Sequence, residues 1–333
     1  MGSPSALPSV LVAGGAGYIG SHTAKALLRA GFQPVVLDNL STGHRTAVNY
    51  GPFYEGSISD AALLGEIAAA HRPVGAILFA GYIAVGESTQ NPSKYFHNNV
   101  VEPMQFLDHY RELDLPQNVV FSSSAAVYGI QGSDPIAESS PMDPLSPYAE
   151  TKLFFERVLR WYGSAYGVKS ACLRYFNAAG ADPDGELGEC HGPETHLIPL
   201  ALAALTEGAP LRVFGTDYAT PDGTAIRDYI HVTDLADAHI RALRHLMNDG
   251  SASFVANLGT GTGTSVREVI QMVERVAGKT VPVEYGPRRD GDAPALVADA
   301  SYVRELLGWV PQHSSLESII RTAWAWHTRE ARR

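Results

Sequence analysis

The sequence predicts an α/β fold: a doubly wound parallel sheet followed by a smaller C-terminal α/β lobe. Three observations predict it. A short apolar run, Val10-Leu11-Val12-Ala13, leads into the glycine-rich turn Gly14-Gly-Ala-Gly-Tyr-Ile-Gly20 and then a helical stretch. Strand-like and helical runs then alternate as far as about residue 177, the pattern of parallel strands joined by crossover helices. A hydroxyl-tipped strand, Asn118-Val-Val-Phe-Ser-Ser-Ser124, precedes a helix that opens Ser146-Pro-Tyr-Ala-Glu-Thr-Lys152.

Each element has a local reason. Val10–Ala13 reads as a buried strand because it is short, apolar and bounded by glycine. The helical run from Ser21 to Ala30 is stopped by Gly31. Pro34-Val35-Val36-Leu37 is the second strand, ending at Asp38, so the glycines occupy the turn of a βαβ unit. Glycines there let backbone N–H groups approach a pyrophosphate, and the helix N-terminus adds partial positive charge. Asp38 lies eighteen residues after Gly20, close to the spacing of an acid that binds a ribose 2′-hydroxyl. A carboxylate there repels a 2′-phosphate, so NAD is expected over NADP. The glycine spacing is Gly-x-x-Gly-x-x-Gly rather than Gly-x-Gly-x-x-Gly. A turn without a ligand is the plain alternative, and the strand, helix and acid together weigh against it.

Further along, Ala61–His71 reads as a helix with Leu63, Leu64 and Ile67 on one face. Ala76–Phe79 reads as a strand, 93–113 as one long helix, and Ser170–Phe176 as a strand ending at Asn177. Residues 9–177 are thus the expected Rossmann-type NAD-binding domain. Residues 178–330 are the expected substrate-binding lobe, with segments returning to the main sheet. That lobe opens with a loop rich in Gly, Pro and Asp over 178–194. A helix near 198–207, strands at 211–214 and 229–232, and a helix over 234–247 follow. Ser265-Val-Arg-Glu268 is a capping-box pattern for a helix that ends near Gly278.

Composition narrows the function. The chain has 333 residues, 45% of them hydrophobic, enough for two modest domains or one large α/β unit. Its net charge of -10 argues against a nucleic-acid or anionic-membrane surface, so an anionic ligand must be held by local Arg and helix N-termini. Cys172 and Cys190 are the two cysteines and do not suggest a disulfide framework, so a reducing cytoplasm is expected. No apolar run approaches transmembrane length. The start, Met1-Gly2-Ser3-Pro4-Ser5, lacks the basic and apolar segments of a signal peptide.

The chemistry concentrates between Ser122 and Lys152. Ligands of a parallel α/β sheet sit beyond the carboxyl ends of its strands, where Ser124 is expected. Pro147 suits the first turn of a helix. Tyr148 and Lys152 are four apart and share a face of that helix. A cation beside a phenol lowers the tyrosine pKa and makes it a usable general base. The plain alternative is a Tyr and a Lys on a solvated helix; the serines and the glycine turn upstream count against it. Cys190, His191, Glu194 and His196 fall in one loop, but their spacing does not announce a convergent tetrahedral site, and no metal is expected.

The chain resembles the extended short-chain dehydrogenase/reductases and, within them, the UDP-glucose (UDP-galactose) 4-epimerases, from about Val10 to Trp326. The motifs that carry the resemblance are the glycine turn, Asp38-Asn-Leu40, Val85-Gly-Glu-Ser88, Ser122-Ser-Ser124 and Pro147–Lys152. Arg174-Tyr-Phe-Asn177, Gly223–His231, Asn257–Gly261 and Pro287-Arg-Arg-Asp-Gly-Asp292 complete them. The resemblance implies that Tyr148 takes the proton of the sugar 4-hydroxyl, that Lys152 binds the nicotinamide ribose, and that Ser124 relays the proton. It implies cofactor contacts at Gly14, Gly17, Tyr18, Ile19, Gly20, Asp38, Asn39, Ser57, Ile58, Phe79, Ala80, Gly81, Asn98, Ser122 and Tyr175. It implies substrate contacts at Asn177, His196, Leu197, Phe214, Arg227, Arg289, Asp292 and Leu296, and a homodimer paired through two helices, about 93–113 and 147–166. Ser57, Leu78 and Ile83 depart from the family, where Asp, His and Lys are common. Leu296 holds the position that gates N-acetyl sugars, and its intermediate size implies UDP-glucose and UDP-galactose. UDP-xylose/UDP-arabinose and UDP-N-acetylhexosamine epimerases share the motifs and stay open, as does a non-catalytic NAD-sensing module. A sugar-nucleotide dehydratase needs an acid beside the active hydroxyl, where this chain has Ala125 and Ala126.

Overall fold

The computed structural model describes residues 7–132, 134–289 and 291–330, without the Glu330 side chain. Met1–Ser5 and Asp290 of the motifs above lie outside the described residues. In chain order the elements are β1 (Ser9–Ala13), α1 (Tyr18–Arg29), β2 (Gln33–Asp38), β3 (Phe53–Glu55), α2 (Ala61–His71), β4 (Ala76–Leu78), α3 (Val85–Gln90), α4 (Pro92–Phe96), α5 (Glu102–Glu112), β5 (Asn118–Ser124), α6 (Pro147–Tyr166) and β6 (Lys169–Tyr175). Then come β7 (Asn177–Ala179), α7 (Leu197–Glu207), β8 (Leu211–Phe214), β9 (Ile226–His231), α8 (Val232–Met247), β10 (Phe254–Leu258), β11 (Gly263–Ser265), α9 (Val266–Ala277), β12 (Val283–Gly286), β13 (Ala295–Leu296), α10 (Ser301–Leu307) and α11 (Leu316–Glu330).

The chain divides into two compact units. The first comprises residues 1–124, 146–174 and 236–256; the second comprises 125–145, 175–235 and 257–333. The chain therefore passes back and forth, where the sequence expects a break near residue 177.

The seven-stranded sheet runs β10-β6-β5-β4-β1-β2-β3. The pairs β1–β2, β1–β4, β2–β3 and β4–β5 are parallel. Strand order reverses at β1, which lies between β4 and β2; a crevice at such a reversal is where α/β sheets hold ligands. Ala13 is level with Leu37 on one side and Leu78 on the other. Gly14, Asp38 and Phe79 consequently emerge together at one edge. Leu11, Val35, Leu37, Ile67, Phe106, Phe121, Phe155 and Leu159 form the core of this unit. Each such large apolar side chain contributes about 1.5–3 kcal/mol on burial.

In the second unit β9 is central, paired with β7 and β13 in parallel and with β11 antiparallel, while β8 pairs with β12. Ile198, Leu202, Val213, Tyr229, Val269, Val273, Ile319 and Ile320 make its core. The capping box forms as predicted: Ser265 Oγ accepts from Glu268 N, and the Glu268 carboxylate accepts from Ser265 N.

Two elements differ from the sequence reading. Helix α1 begins at Tyr18, not Ser21, so Gly20 lies inside its first turn. The expected single helix over 93–113 is interrupted by a π-helical segment at His97–Val101. Such wide turns recur at functional sites, and this one carries Asn98 and Asn99. No described helix is long and apolar enough to cross a membrane.

Candidate active site

The glycine turn is shaped by close backbone approach. Gly14 has φ +80°, and a Cβ there would collide with the Ala80 backbone; one at Gly20 would collide with the Gly14 carbonyl. Gly17 caps α1 without a side-chain hydrogen bond, and the first turn holds no acid. No side chain caps the start of α1, and the cradle fits a dinucleotide pyrophosphate. Asp38 is buried, and its carboxylate accepts from Ala16 N at 2.9 Å and Leu40 N at 2.8 Å. Burial nevertheless pushes its pKa up, against these two bonds. Asp38 thereby ties the turn to the end of β2. Asn39 follows it, and its side chain accepts from Ser41 N.

Phe79 N and Ala80 N both donate to Ala13 O, which brings Phe79, Ala80 and Gly81 to the same edge. A Cβ at Gly81 would meet Asn99 Oδ1 at 3.2 Å and Lys152 Nζ at 3.7 Å. The π-helical turn lets two successive side chains reach one amide: Asn98 Oδ1 and Asn99 Oδ1 accept from Tyr82 N at 3.2 and 2.9 Å. Asn99, which the sequence reading missed, also donates to Tyr82 O and Thr151 Oγ1. Ser57 Oγ donates to Glu102 Oε2 at 3.1 Å, so an acid from α5 comes to the position where the family commonly carries one. Ile58 is buried.

The three serines at the end of β5 each meet α6. The Ser124 hydroxyl hydrogen-bonds the Tyr148 phenol. Lys152 Nζ donates to Ser122 O at 2.8 Å. Ser123 Oγ donates to Glu156 Oε1 at 2.5 Å. Residues 148, 152 and 156 are one turn apart on a single helix face, so β5 and α6 are pinned in register. Ser146 caps the helix by accepting from Ala149 N, with Pro147 in the first turn.

Glu156 was not singled out from sequence, yet it is the hub behind Lys152. It is gripped by Arg174, Nε to Oε1 at 2.9 Å and Nη2 to Oε2 at 2.6 Å, with both side chains about 5% exposed or less. The spacing Lys152–Glu156 and the arginine of Arg174-Tyr-Phe-Asn177 were the available signals. Burial lowers the Lys152 pKa to about 8, against the pull of Glu156. At Tyr148 burial works against the sequence expectation. Burial pushes its pKa up, the Ser124 bond opposes this, and the Lys152 amine stands 5.9 Å from the ring centroid, engaged with a carbonyl.

The second unit gathers the remaining predicted residues in two groups. Arg227, on β9, donates to Ile226 O and Ala293 O at 2.8 and 2.9 Å and pairs with Asp292. Arg289 stacks over Phe214, 3.9 Å from the ring centroid. Leu296 stands beside Arg227 in the register of β13 on β9. Asn177 opens β7, opposite Tyr229, and Tyr175 is the last residue of β6. His196 and Leu197 begin α7.

His196 belongs to the second group. The sequence reading saw Cys190, His191, Glu194 and His196 without convergence and expected no metal. Cys190 is exposed. Glu189, His191, Glu194 and His196 instead converge, with ligand atoms all within 4.8 Å of one another. Burial pulls both imidazole pKa values down, but Glu189 and Glu194 outweigh it and hold His191 at about 9 and His196 at about 10.

Comparison with known proteins adds the following. The family described as NAD dependent epimerase/dehydratase matches residues 10–259. The UDP-glucose 4-epimerase of Rhizobium leguminosarum bv. trifolii is 49% identical over 322 residues, 96% of this chain and 98% of that protein. The crystal structure of UDP-glucose 4-epimerase from Brucella ovis in complex with NAD superposes with a TM-score of 0.92 at 52% identity, covering 95% of this chain and 97% of that one. A Stenotrophomonas maltophila UDP-glucose 4-epimerase with bound NAD and formylated UDP-arabinopyranose gives 0.93 at 36% identity, covering 98% and 99%.

Proposed function

The chain belongs to the NAD dependent epimerase/dehydratase family, and from that premise we propose that it interconverts UDP-glucose and UDP-galactose by inverting C4 through a transient 4-keto sugar. The observation that carries this reading is the β5–α6 arrangement: Tyr148 hydrogen-bonded to Ser124, with Lys152 fixed on the Ser122 carbonyl.

NAD would supply a two-electron hydride acceptor for C4. Gly14, Gly17, Tyr18, Ile19 and Gly20 would hold its pyrophosphate, Asp38 and Asn39 its adenosine ribose, and Ser57 and Ile58 its adenine. Phe79, Ala80, Gly81, Asn98, Ser122, Tyr148 and Tyr175 would complete the cofactor site, with Lys152 at the nicotinamide ribose. Tyr148 receives the 4-hydroxyl proton and later returns it, and Ser124 shares that proton through the hydrogen bond already present. A neutral buried phenol is a poor base, so the cationic amine of Lys152 is required to favour the phenolate. The chemistry is a closed cycle, and no net proton or hydrogen is consumed.

The substrate contacts are Ser124 and Tyr148 at the sugar, with Asn177, His196, Leu197, Phe214, Arg227, Arg289, Asp292 and Leu296. Arg227 and Arg289 suit a diphosphate because guanidinium offers paired donors. Phe214 offers a flat face to uracil. Leu296 favours sugars without an N-acetyl group. The enzyme is cytoplasmic in this reading. It is also a homodimer, since α4, the π turn and α6 expose Phe96, Val101, Phe154 and Trp161; a monomeric mass in light scattering refutes the dimer.

The test is a proton NMR assay of anomeric signals with the protein as purified and no added NAD. UDP-galactose is expected to convert, faster than UDP-N-acetylgalactosamine. Preferred turnover of UDP-xylose would assign a pentose epimerase instead, and no turnover with NAD added would leave a sensing module.

A further inference from the structure

We propose that Glu189, His191, Glu194 and His196 form a binding site for one divalent transition-metal ion of the zinc class, which locks the loop ahead of α7. The four side chains come from a single eight-residue segment. His196 Nδ1 lies 2.7 Å from Glu189 Oε1 and 3.1 Å from Glu194 Oε1; His191 Nδ1 lies 3.2 Å from Glu189 Oε1 and 3.5 Å from Glu194 Oε2. In a tetrahedral zinc site with bonds of roughly 2.0–2.1 Å, neighbouring ligand atoms stand about 3.3 Å apart. The observed spacings straddle that value, so a small outward movement admits the ion.

A second observation points the same way. The Glu189 side chain is 7% exposed, and its Oε1 is buried and receives no aligned hydrogen bond although two imidazole nitrogens stand close to it. An acceptor placed among nitrogens without an aligned proton is the arrangement of atoms that face a common centre. Charge permits the exchange: the two imidazoles, cationic in the metal-free cluster, would release two protons to one divalent cation, and the sum stays zero. The donor set of two nitrogens and two oxygens suits zinc better than calcium or magnesium, which favour all-oxygen shells.

The loop is already held from behind. Trp326 Nε1 donates to Glu189 O at 3.1 Å, and a Cβ at Gly188 would strike the Trp326 indole. His196 is the N-cap residue of α7 and its side chain does not cap the helix, which leaves it for the ion. The site therefore fixes the start of α7, where His196 and Leu197 are proposed to meet the nucleotide sugar. That last link rests on the proposed function; the site itself does not.

The experiment uses the full-length, tag-free protein. Metal content is measured after dialysis into metal-free buffer, then zinc and cobalt are titrated back. About one zinc per chain is expected, together with the visible absorption of four-coordinate cobalt. Both are expected to vanish in Glu189→Gln and His191→Ala and to persist in Cys190→Ser. Zinc at roughly a hundred times its Kd should raise the wild-type Tm by about 5 °C, and a chelator should reverse the shift. This arm stands even if the variants fail to fold. Absence of zinc uptake, of the cobalt band and of the thermal shift would overturn the site, leaving a proton-filled ion-pair cluster. Metal binding that both variants retain would overturn it too. None of these readouts depends on turnover, so failure of the site is distinguishable from failure of the epimerase reading.

Discussion

The two regions proposed to hold phosphate are built in opposite ways. In the first unit the Gly14–Gly20 turn uses backbone amides and the start of a helix, with Gly14 and Gly20 each required by a close backbone neighbour. In the second unit the positive charge is carried by Arg227 and Arg289, and both are already engaged, with Asp292 and two carbonyls in one case and the Phe214 ring in the other. Backbone donors are fixed before the ligand arrives and lose little freedom on binding. Side chains that exchange one partner for another bind more weakly and release more readily. The difference suits the proposed roles, a cofactor that stays bound and a nucleotide sugar that leaves after each turnover.

The sharpest way to separate cofactor retention from chemistry is Tyr148→Phe. It should lower kcat by about 10²–10⁴-fold, the range for a lost general base, while NAD measured in the purified protein is unchanged. Full activity would remove Tyr148 from its role. Glu156→Ala contrasts a closed internal pair with the exchangeable Arg227–Asp292 pair. It strands Arg174 in the interior and should cost about 3–5 kcal/mol in urea denaturation; a loss below 1 kcal/mol would show that the hub is dispensable. Gly20→Ala strikes the backbone side of the comparison. It should destabilise by about 1–3 kcal/mol and empty the protein of NAD, whereas Gly17→Ala, whose Cβ would stand 3.4 Å from Gly14 O, should be milder. Equal NAD content in both would break the argument from close approach.

A pH titration tests the burial of Lys152. Its folded pKa of about 8 lies below the ordinary 10.5, because burial disfavours the cation. Between those values the unfolded chain holds a proton that the folded one has lost. Stability of the cofactor-free protein should therefore gain about 1.4 kcal/mol per pH unit from this group across that window, and Lys152→Met should abolish the gain. An unchanged slope in the variant would place the lysine in a wetter site. The smallest expected effect is that of Arg227→Lys, which should raise KM for UDP-galactose about tenfold with kcat nearly constant, since lysine lacks the paired donors. A fall in kcat at constant KM would assign Arg227 to the transition state instead.

The same contrast explains what was legible in the sequence. The glycine turn, Asp38 and the Tyr148–Lys152 pair are encoded by spacing within one or two adjacent elements, and periodicity places them. Phe214, Arg227, Asp292 and Leu296 come from separate strands and loops, and only the resemblance to a family placed them. The π turn at His97–Val101 has no simple spacing rule, so the doubled asparagine grip on Tyr82 was invisible. Glu156 was hidden for another reason: on sequence it is one more acid on a helix, and only the register of three serines shows that it faces inward. In the loop before α7 the sequence reading grouped Cys190 with His191, Glu194 and His196, whereas Glu189 is the residue that converges with those three.

The interleaving of the two units bears on how the chain is made. Strand β10 lies beyond residue 250, yet it is the outer neighbour of β6 in the seven-stranded sheet. As the polypeptide emerges from the ribosome, β6 therefore stays an open edge while some eighty further residues are synthesised. Open edges invite pairing with other chains. The nascent chain is therefore exposed to mispairing over that interval, and a fragment that ends near residue 177 lacks the strand that covers β6.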